Sequence, residues 1–181
     1  MEEKKAVWRR GKSLVRSWIN RVLHLLARVL PGANNLRPFL YRLRGVKIIG
    51  KVSIGDDVYL DEINPESLEI HDRVVLGPRC MIIGHTGGTG KVVIEKQAAI
   101  AAGRIVVCAA GQTLTIGEGA VITAGSTVCH SIPAHTLCGP PRIKAFGRAE
   151  VPFALGTNYE KFKAGLRPMR MDRREPNRAV E

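Results

Sequence analysis

The sequence has few aromatic residues, no cysteine motif and no long apolar run, and each absence narrows the function. Aromatic residues make up 5% of the 181 positions. The four cysteines contain no CxxC pair and have no histidine at zinc-finger spacing. We therefore expect Cys80, Cys108, Cys129 and Cys138 to be small buried thiols in a reducing compartment rather than disulfides.

No segment of the chain approaches the roughly 20 consecutive apolar residues that a membrane-spanning helix requires. The N-terminus is also a poor secretion signal, because Arg16, Arg21, His24 and Arg28 interrupt its apolar stretch. These features predict a cytoplasmic protein, either free or peripheral to the inner face of the membrane.

Acidic residues are scarce relative to basic ones, which gives a formal net charge of +12. Residues 1–30 contain eight Lys or Arg against Glu2 and Glu3, and residues 157–181 contain seven against four acids. This excess indicates an anionic partner such as lipid headgroups, a phosphorylated cofactor or nucleic acid. Nucleic acid is disfavoured, because the charge lies at the ends without aromatic interleaving or a known motif.

The most informative feature that is present is an aliphatic or small residue at every sixth position. It occurs in three runs: Ile48, Ile54, Leu60; then Ile70, Leu76, Ile82, Gly88, Ile94, Ile100, Val106; then Ile116, Ile122, Val128, Ala134. A period of six fits neither a helix nor a simple alternating strand. It is typical of short strands laid around a triangular coil, with one inward side chain per face. The pattern predicts an all-β solenoid, a parallel β-helix of about five coils.

The repeat divides the chain into three predicted parts. They are a basic amphipathic helical segment at 1–45, the β-helix at 46–143 and a C-terminal extension at 144–181. Residues 4–30 read as one helix ended by Pro31-Gly32, and Leu36 to Arg44 as a second ended by Gly45. The first helix suits a membrane interface, or else packs on the solenoid or a neighbouring subunit. We expect a short helix over Tyr159 to Ala164 and a loosely ordered tail from Leu166.

One stretch interrupts the repeat with four glycines in seven residues, Gly84-His85-Thr86-Gly87-Gly88-Thr89-Gly90. We interpret it as a loop leaving the coil, and loops on a rigid scaffold often carry function. His85 faces this open space and is a candidate general base, although a surface histidine in a flexible turn is the plain alternative. Its orienting carboxylate is left open among Asp61, Glu62 and Glu69. We interpret His24, His71, His130 and His135 as structural or peripheral.

Five further residues are candidates for binding a phosphate-bearing ligand. Arg142 and Lys144 place positive charge just past the last coil. Backbone amides at Gly103, Gly111 and Gly125 are positioned for an extended ligand along one edge, although each glycine is otherwise explained as a corner residue.

Four segments resemble the hexapeptide-repeat O-acetyltransferases, a family that includes maltose, serine and polysaccharide-modifying acetyltransferases. They are VSIGDDV at 52–58, the GHTGGTG loop at 84–90, TIGEGAVITAGSTV at 115–128 and SIPAHTLCGPPRI at 131–143. The resemblance implies a left-handed parallel β-helix that forms a homotrimer, with acetyl-CoA between subunits and no metal. It also implies that His85 is the general base that activates a hydroxyl of a sugar or surface-polysaccharide precursor.

Other functions stay open at this stage. A carbonic anhydrase with the same solenoid needs three metal-binding histidines on adjacent coils, whereas only His85 is well placed. Transfer of a longer acyl chain from an acyl carrier protein is a closer alternative, because a basic surface also suits an acidic carrier. A catalytically inactive, membrane-associated scaffold is the non-enzymatic alternative.

Overall fold

The computed structural model describes residues 14–86, 88–140, 147–152, 154, 156 and 158–168. The chain divides into two compact units, with the boundary between Pro140 and Pro141. This boundary lies three residues before the predicted one at 143/144. The two units are described separately below.

The first unit contains two helices followed by short strands. Helix α1 is Leu14–Val29 and helix α2 is Leu36–Arg44. In the described part of this unit the strands are, in chain order, β1 Lys47–Ile48, β2 Ser53–Ile54, β3 Tyr59–Leu60, β4 Leu68–Ile70, β5 Val75–Leu76, β6 Met81–Thr86, β7 Lys91–Ile94, β8 Ala99–Ile100, β9 Ile105–Ala109, β10 Thr113–Ile116, β11 Val121–Ile122, β12 Thr127–Val128 and β13 Leu137–Cys138. A 3₁₀ turn, Pro65–Ser67, precedes β4.

The strands form three parallel sheets that are the faces of a prism. Face A contains β1, β4, β7 and β10; face B contains β2, β5, β8, β11 and β13; face C contains β3, β6, β9 and β12. Each coil visits A, B and C in turn, so the fold is a parallel β-helix and matches the left-handed class. The described residues form four complete coils and two sides of a fifth, which confirms the predicted architecture.

The coils differ in length, and the difference is confined to one corner. The stacked face A residues Ile48, Ile70, Ile94, Ile116 and Ile132 are 22, 24, 22 and 16 residues apart, whereas three hexapeptides would give 18. In the first three coils all extra residues lie where face C leads to face A of the next coil. The last coil is two residues short, so Ile132 takes the inward position predicted for Ala134, which is exposed.

The core lies inside the prism and is almost entirely aliphatic. The predicted aliphatic positions from Ile48 to Val128 are all buried, whereas Gly88 is exposed in the corner loop. Most coil strands also bury the residue two positions earlier, because side chains of a strand alternate between its faces. That second buried column contains Val52, Val58, Val74, Cys80, Val92, Ala98, Leu114 and Ala120.

Helix α2 closes the first coil of the β-helix. It buries Pro38, Leu40 and Tyr41, and the hydroxyl of Tyr41 donates to the carbonyl of Val58. Gly45 ends the helix in the left-handed conformation at φ 111°, as its glycine predicted. An exposed coil end presents unpaired backbone groups, so a covering helix protects the stack from pairing with other chains.

Helix α1 packs on the same unit through its polar side. Asn20, His24 and Ala27 are buried, whereas Trp18 and Val29 are among its exposed residues. The predicted helix over 4–30 is therefore observed from Leu14, and residues 1–13 lie outside the described part. Among the described residues, no helix has both the length and the apolar content to cross a bilayer.

In the described residues of the second unit, β14 (Gly147–Ala149) pairs antiparallel with β15 (Leu166–Pro168), and α3 (Tyr159–Ala164) lies between them in sequence. The α3 bounds confirm the predicted short helix. Its first turn is capped by the Asn158 side chain, which accepts from the Glu160 amide at 2.8 Å. The loosely ordered tail predicted from Leu166 is wrong for 166–168, which form the strand. Residues 169–181 lie outside the described part.

The cysteines follow the prediction only in part. Cys80 and Cys108 are buried free thiols, but Cys129 is exposed and Cys138 half-buried. Burial raises the pKa of the Cys80 thiol above its ordinary value.

Truncating an inward isoleucine should destabilise the β-helix far more than truncating an outward one. Ile100 is 1% exposed, whereas Ile49, next to β1 on face A, is 42% exposed. Ile100→Ala should lower the free energy of unfolding by about 2–5 kcal/mol, because it leaves a cavity between stacked coils. Ile49→Ala should cost less than about 1 kcal/mol. Urea unfolding at one protein concentration measures both, and equal losses would contradict the assignment of faces.

Candidate active site

The candidate site lies at the enlarged corner between faces C and A. Three successive coils bring their longest turns together here, at residues 61–67, 88–90 and 110–112. The amide of Gly90 donates to the carbonyl of Gly84 at 2.6 Å, which closes the middle turn. The amide of Gly111, in the turn of the next coil, donates to the carbonyl of Thr89 in the middle turn at 2.9 Å. The corner is therefore a stack of hydrogen-bonded turns.

Asp61 is the buried centre of this corner. It directly follows β3, its side chain is fully buried, and both carboxylate oxygens are occupied. Oδ1 accepts from the amides of Ile63 and Asn64 at 3.0 and 2.9 Å. Oδ2 accepts from the amide of Gly84 at 2.9 Å and contacts Nδ1 of His85 at 2.7 Å. Its three amide partners can only donate, which fits an ionised carboxylate that accepts from every partner.

This arrangement fixes the tautomer of His85. Because the Asp61 oxygen accepts, Nδ1 of the imidazole carries the proton and donates it to Oδ2. In the neutral ring Nε2 is then the unprotonated nitrogen. The His85 side chain is 25% exposed, and Nε2 makes no hydrogen bond with any described residue. The ring is thus held from one side and available as a proton acceptor on the other.

A β-bulge sets the direction of His85. Ile83 pairs with Val107 and Thr86 pairs with Ala109, so β6 has one more residue than β9 in this stretch. Bulges bend a strand and re-aim its side chains. The prediction that the whole segment 84–90 leaves the coil is therefore wrong at its start. Gly84, His85 and Thr86 belong to β6, and the turn begins after them.

Close packing explains the glycine before His85. A Cβ on Gly84 would lie 2.4 Å from Oγ of Ser67, in the turn of the previous coil. The absence of a side chain lets the two coils approach closely enough for the Gly84 amide to reach Asp61.

The other two candidate carboxylates serve elsewhere. Glu62 binds Nε of Arg21 on α1 at 2.8 Å. Glu69 accepts from Nζ of Lys47 and Nζ of Lys91, each at 2.8 Å, and contacts Nε2 of His71 at 3.1 Å. The hydrogen bonds from Lys47 and then Lys91 lower the pKa of Glu69 to about 2. The structure therefore selects Asp61 from the three.

Helix α2 contributes a contact that sequence reasoning missed. Arg44 is buried, and its guanidinium donates to the carbonyls of Leu60 and Asp61 at 3.2 and 3.0 Å. From helix α2, which covers the first coil, it holds the backbone of Asp61 in place. Burial lowers the pKa of Arg44 below its ordinary value. The only signal in the sequence was an arginine next to the helix-ending Gly45.

The candidate ligand-binding glycines lie at two different corners. Gly111 is at the corner of His85, whereas Gly103 and Gly125 are where face B leads to face C. All three have positive φ, between 66° and 86°, so backbone conformation accounts for glycine at each. Gly103 also borders a depression lined by Asp56, Asp57 and Arg79, and the two carboxylates there are paired with Arg37 and Arg28. Arg142 and Lys144 lie outside the described residues.

Among the remaining histidines, His130 lies on this edge two coils further along, where face C leads to face A, whereas His71 and His135 lie where face A leads to face B. His130 and His135 are exposed in the last coil, and His71 is half-buried against Glu69. His24 lies on the inner side of α1 and is buried there, with its ring centroid 4.9 Å from that of Tyr59. Burial and then the charge of Arg44 lower the pKa of His24 to about 4, so it is neutral near pH 7.

Within the described ranges, no group of three or more His, Cys, Asp or Glu side chains is arranged to hold a metal ion. Comparison of the chain with family models, with curated proteins and with solved structures gave no match.

The pKa of Glu69 leads to a prediction about stability and pH. Because its folded pKa is lowered from 4.5 to about 2, Glu69 stabilises the fold above about pH 4.5, and this contribution is lost as the pH falls toward 2. Glu69→Gln should lower the free energy of unfolding by about 1–2 kcal/mol near neutral pH, since it removes charge-assisted hydrogen bonds. The difference from the unmodified protein should vanish near pH 2.

Urea unfolding across this pH range measures the effect. Glu160→Gln is the control, because this exposed glutamate of α3 forms no ion pair with a described residue. A constant difference for Glu69→Gln from pH 7 to pH 2 would contradict the assignment.

Proposed function

We propose that this protein is an acyltransferase that moves an acetyl group from acetyl-CoA to a hydroxyl of a sugar or surface-polysaccharide precursor. One observation carries the proposal: a fully buried Asp61 binds Nδ1 of His85, whose Nε2 is left without a partner among the described residues. A histidine that is oriented on one nitrogen and open on the other is suited to general-base catalysis. The resemblance of the repeat segments to hexapeptide O-acetyltransferases supports the same chemistry.

In the proposed reaction Nε2 of His85 takes the proton of the acceptor hydroxyl. The acceptor oxygen attacks the thioester carbonyl, the new carbon–oxygen bond forms, and the carbon–sulfur bond breaks. The leaving thiolate takes the proton back from Nε2, so His85 ends the cycle neutral. Both substrates are bound together and no acyl group is attached to the protein. Asp61 stabilises the ring while it is positively charged and keeps it in one orientation.

We place both substrates at this corner, beside His85. Ala109, Ala110 and Gly111, in the turn of the next coil, are small and exposed, and a Cβ on Gly111 would meet nothing within 4 Å. A slender thioester arm fits along such a strip. We place the donor there, with Gly111 offering backbone contacts.

We propose further that the protein is a homotrimer with the site between neighbouring subunits. Faces B and C present outward apolar side chains, including Val75 and Val121 on B and Met81 and Ile105 on C. Face A instead presents Lys47, Glu69 and Lys91. A closed three-fold ring joins two different surfaces of each subunit, which suits two adjacent apolar faces.

Removal of the imidazole should abolish the general-base contribution. His85→Ala should reduce kcat for thiol release from acetyl-CoA by about 10² to 10⁴ with a suitable sugar acceptor. His135→Ala removes an exposed histidine that lies where face A leads to face B in the last coil, away from this corner, and should leave kcat unchanged. Thiol release is followed by a colorimetric reagent over a panel of sugars and sugar nucleotides, and mass spectrometry of the acceptor identifies the acyl group.

Each outcome of this assay separates the candidate functions. Full activity in His85→Ala would contradict the proposed base. Acyl transfer from an acyl carrier protein but not from acetyl-CoA would favour the carrier-dependent reaction. The absence of transfer from either donor with every acceptor would favour a non-catalytic scaffold.

Asp61 should act as a positioning residue through His85. Asp61→Asn keeps an oxygen for the amides of Ile63 and Asn64 but replaces the other acceptor with an amide nitrogen that cannot accept from Nδ1. The ring should then favour the tautomer with a proton on Nε2. We expect kcat to fall by about tenfold or more while KM changes little, with an altered pH profile. A loss confined to KM would show that Asp61 serves acceptor binding instead.

A further inference from the structure

Helix α1 has an apolar side and a polar side, and it packs on the β-helix through the polar one. Asn20, His24 and Ala27 face inward and are 5%, 2% and 1% exposed. The opposite side carries a set of large apolar residues that are all exposed: Trp18, Ile19, Val22, Leu25, Leu26 and Val29. A surface helix of a globular protein ordinarily buries its apolar side.

The contacts that hold α1 this way are specific. Arg28 pairs with Asp57 and Arg21 pairs with Glu62, so its polar edge is tied to the first coil. The backbone amide of Asp57 also donates to the carbonyl of Arg28 at 3.1 Å. The orientation is therefore supported by ion pairs, a backbone hydrogen bond and the packing of Leu23 and Ala27, while most of the apolar side stays exposed.

Helix α2 extends the exposed apolar surface. Leu36, Phe39 and Leu43 are exposed, while its other side packs on the coil. We call the exposed apolar residues of α1 and α2 together the helical surface. Two helices that pack together and each expose large apolar side chains mark an interaction site.

The charge around the helical surface identifies its partner. Residues 14–45, which include the helical surface, contain six arginines and no carboxylate. Three of the arginines pair with carboxylates of the first coil, whereas Arg16 and Arg42 donate to backbone carbonyls. An apolar surface that includes Trp18 and is bordered by uncompensated cations fits an interface of acyl chains and anionic headgroups.

A second copy of this chain fits less well. A two-fold contact through the helical surface would place the same arginines opposite one another, with no carboxylate from residues 14–45 to pair with them. We propose that the helical surface docks the protein onto an anionic lipid bilayer, with α1 lying in the plane of the interface. This proposal does not depend on the proposed acyl transfer, because lipid binding is measured without substrates.

The test uses the full chain carrying Trp8→Phe, which leaves Trp18 as the only tryptophan. Vesicles contain equal parts of phosphatidylglycerol and phosphatidylcholine, and phosphatidylcholine vesicles are the comparison. We expect the protein to float with the anionic vesicles, and the Trp18 emission to shift to shorter wavelength and be quenched by brominated acyl chains. Binding to phosphatidylcholine alone should be much weaker.

Leu25→Glu and Leu166→Glu form a matched pair, because the two leucines are 54% and 45% exposed, the first on the helical surface and the second in β15. Leu25→Glu should lower the partition coefficient by about tenfold or more, since a carboxylate enters the interface. Leu166→Glu should bind like the parent. Circular dichroism checks that both variants fold. We expect both to fold, because both leucines are exposed.

Three results would overturn the proposal. The first is that the parent protein does not bind anionic vesicles. The second is that Leu25→Glu binds as well as Leu166→Glu. The third is that the parent does not bind vesicles and that Leu25→Glu changes the oligomeric state measured by light scattering. That result would assign the helical surface to a second copy.

Discussion

The buried carboxylate of Asp61 is the constraint on which the candidate site depends. A charged group without solvent is unfavourable unless its oxygens are satisfied, and here three backbone amides and one imidazole satisfy them. The same four contacts fold the turn after β3, join it to β6 in the next coil and orient His85. Structure and chemistry therefore share one interaction. Any substitution that removes the Asp61 carboxylate leaves backbone amides without an acceptor and also leaves the His85 ring without its orienting contact.

The architecture could be predicted from the sequence because one column of inward aliphatic residues repeats every six positions. The second inward column was missed, since Cys80, Ala98 and the buried Arg104 interrupt its aliphatic character. The shortened last coil was also missed. Position 134 holds an alanine, whose small apolar side chain fits the core or the surface equally well, so the period alone could not show that Ile132 takes its place.

Local sequence identified His85 as a candidate but could not identify its partner. His85 stood out because glycines surround it in a broken repeat. The choice among Asp61, Glu62 and Glu69 depends on contacts across coils, 24 residues apart for His85 and Asp61, which sequence spacing does not specify. The bulge in β6 was missed because it depends on pairing with β9. The orientation of α1 was missed for a related reason: its periodicity identifies an apolar side but not which side meets the coils.

The enlarged corner has a consequence for how such a protein can be remodelled. Added residues at this edge change the shape of the cleft around His85, while the strands before and after keep their inward positions. Length variation is thereby separated from the packing of the core. A designer could lengthen or shorten the turn at Ala110–Gln112 and leave the prism intact, because the scaffold already tolerates unequal coils there.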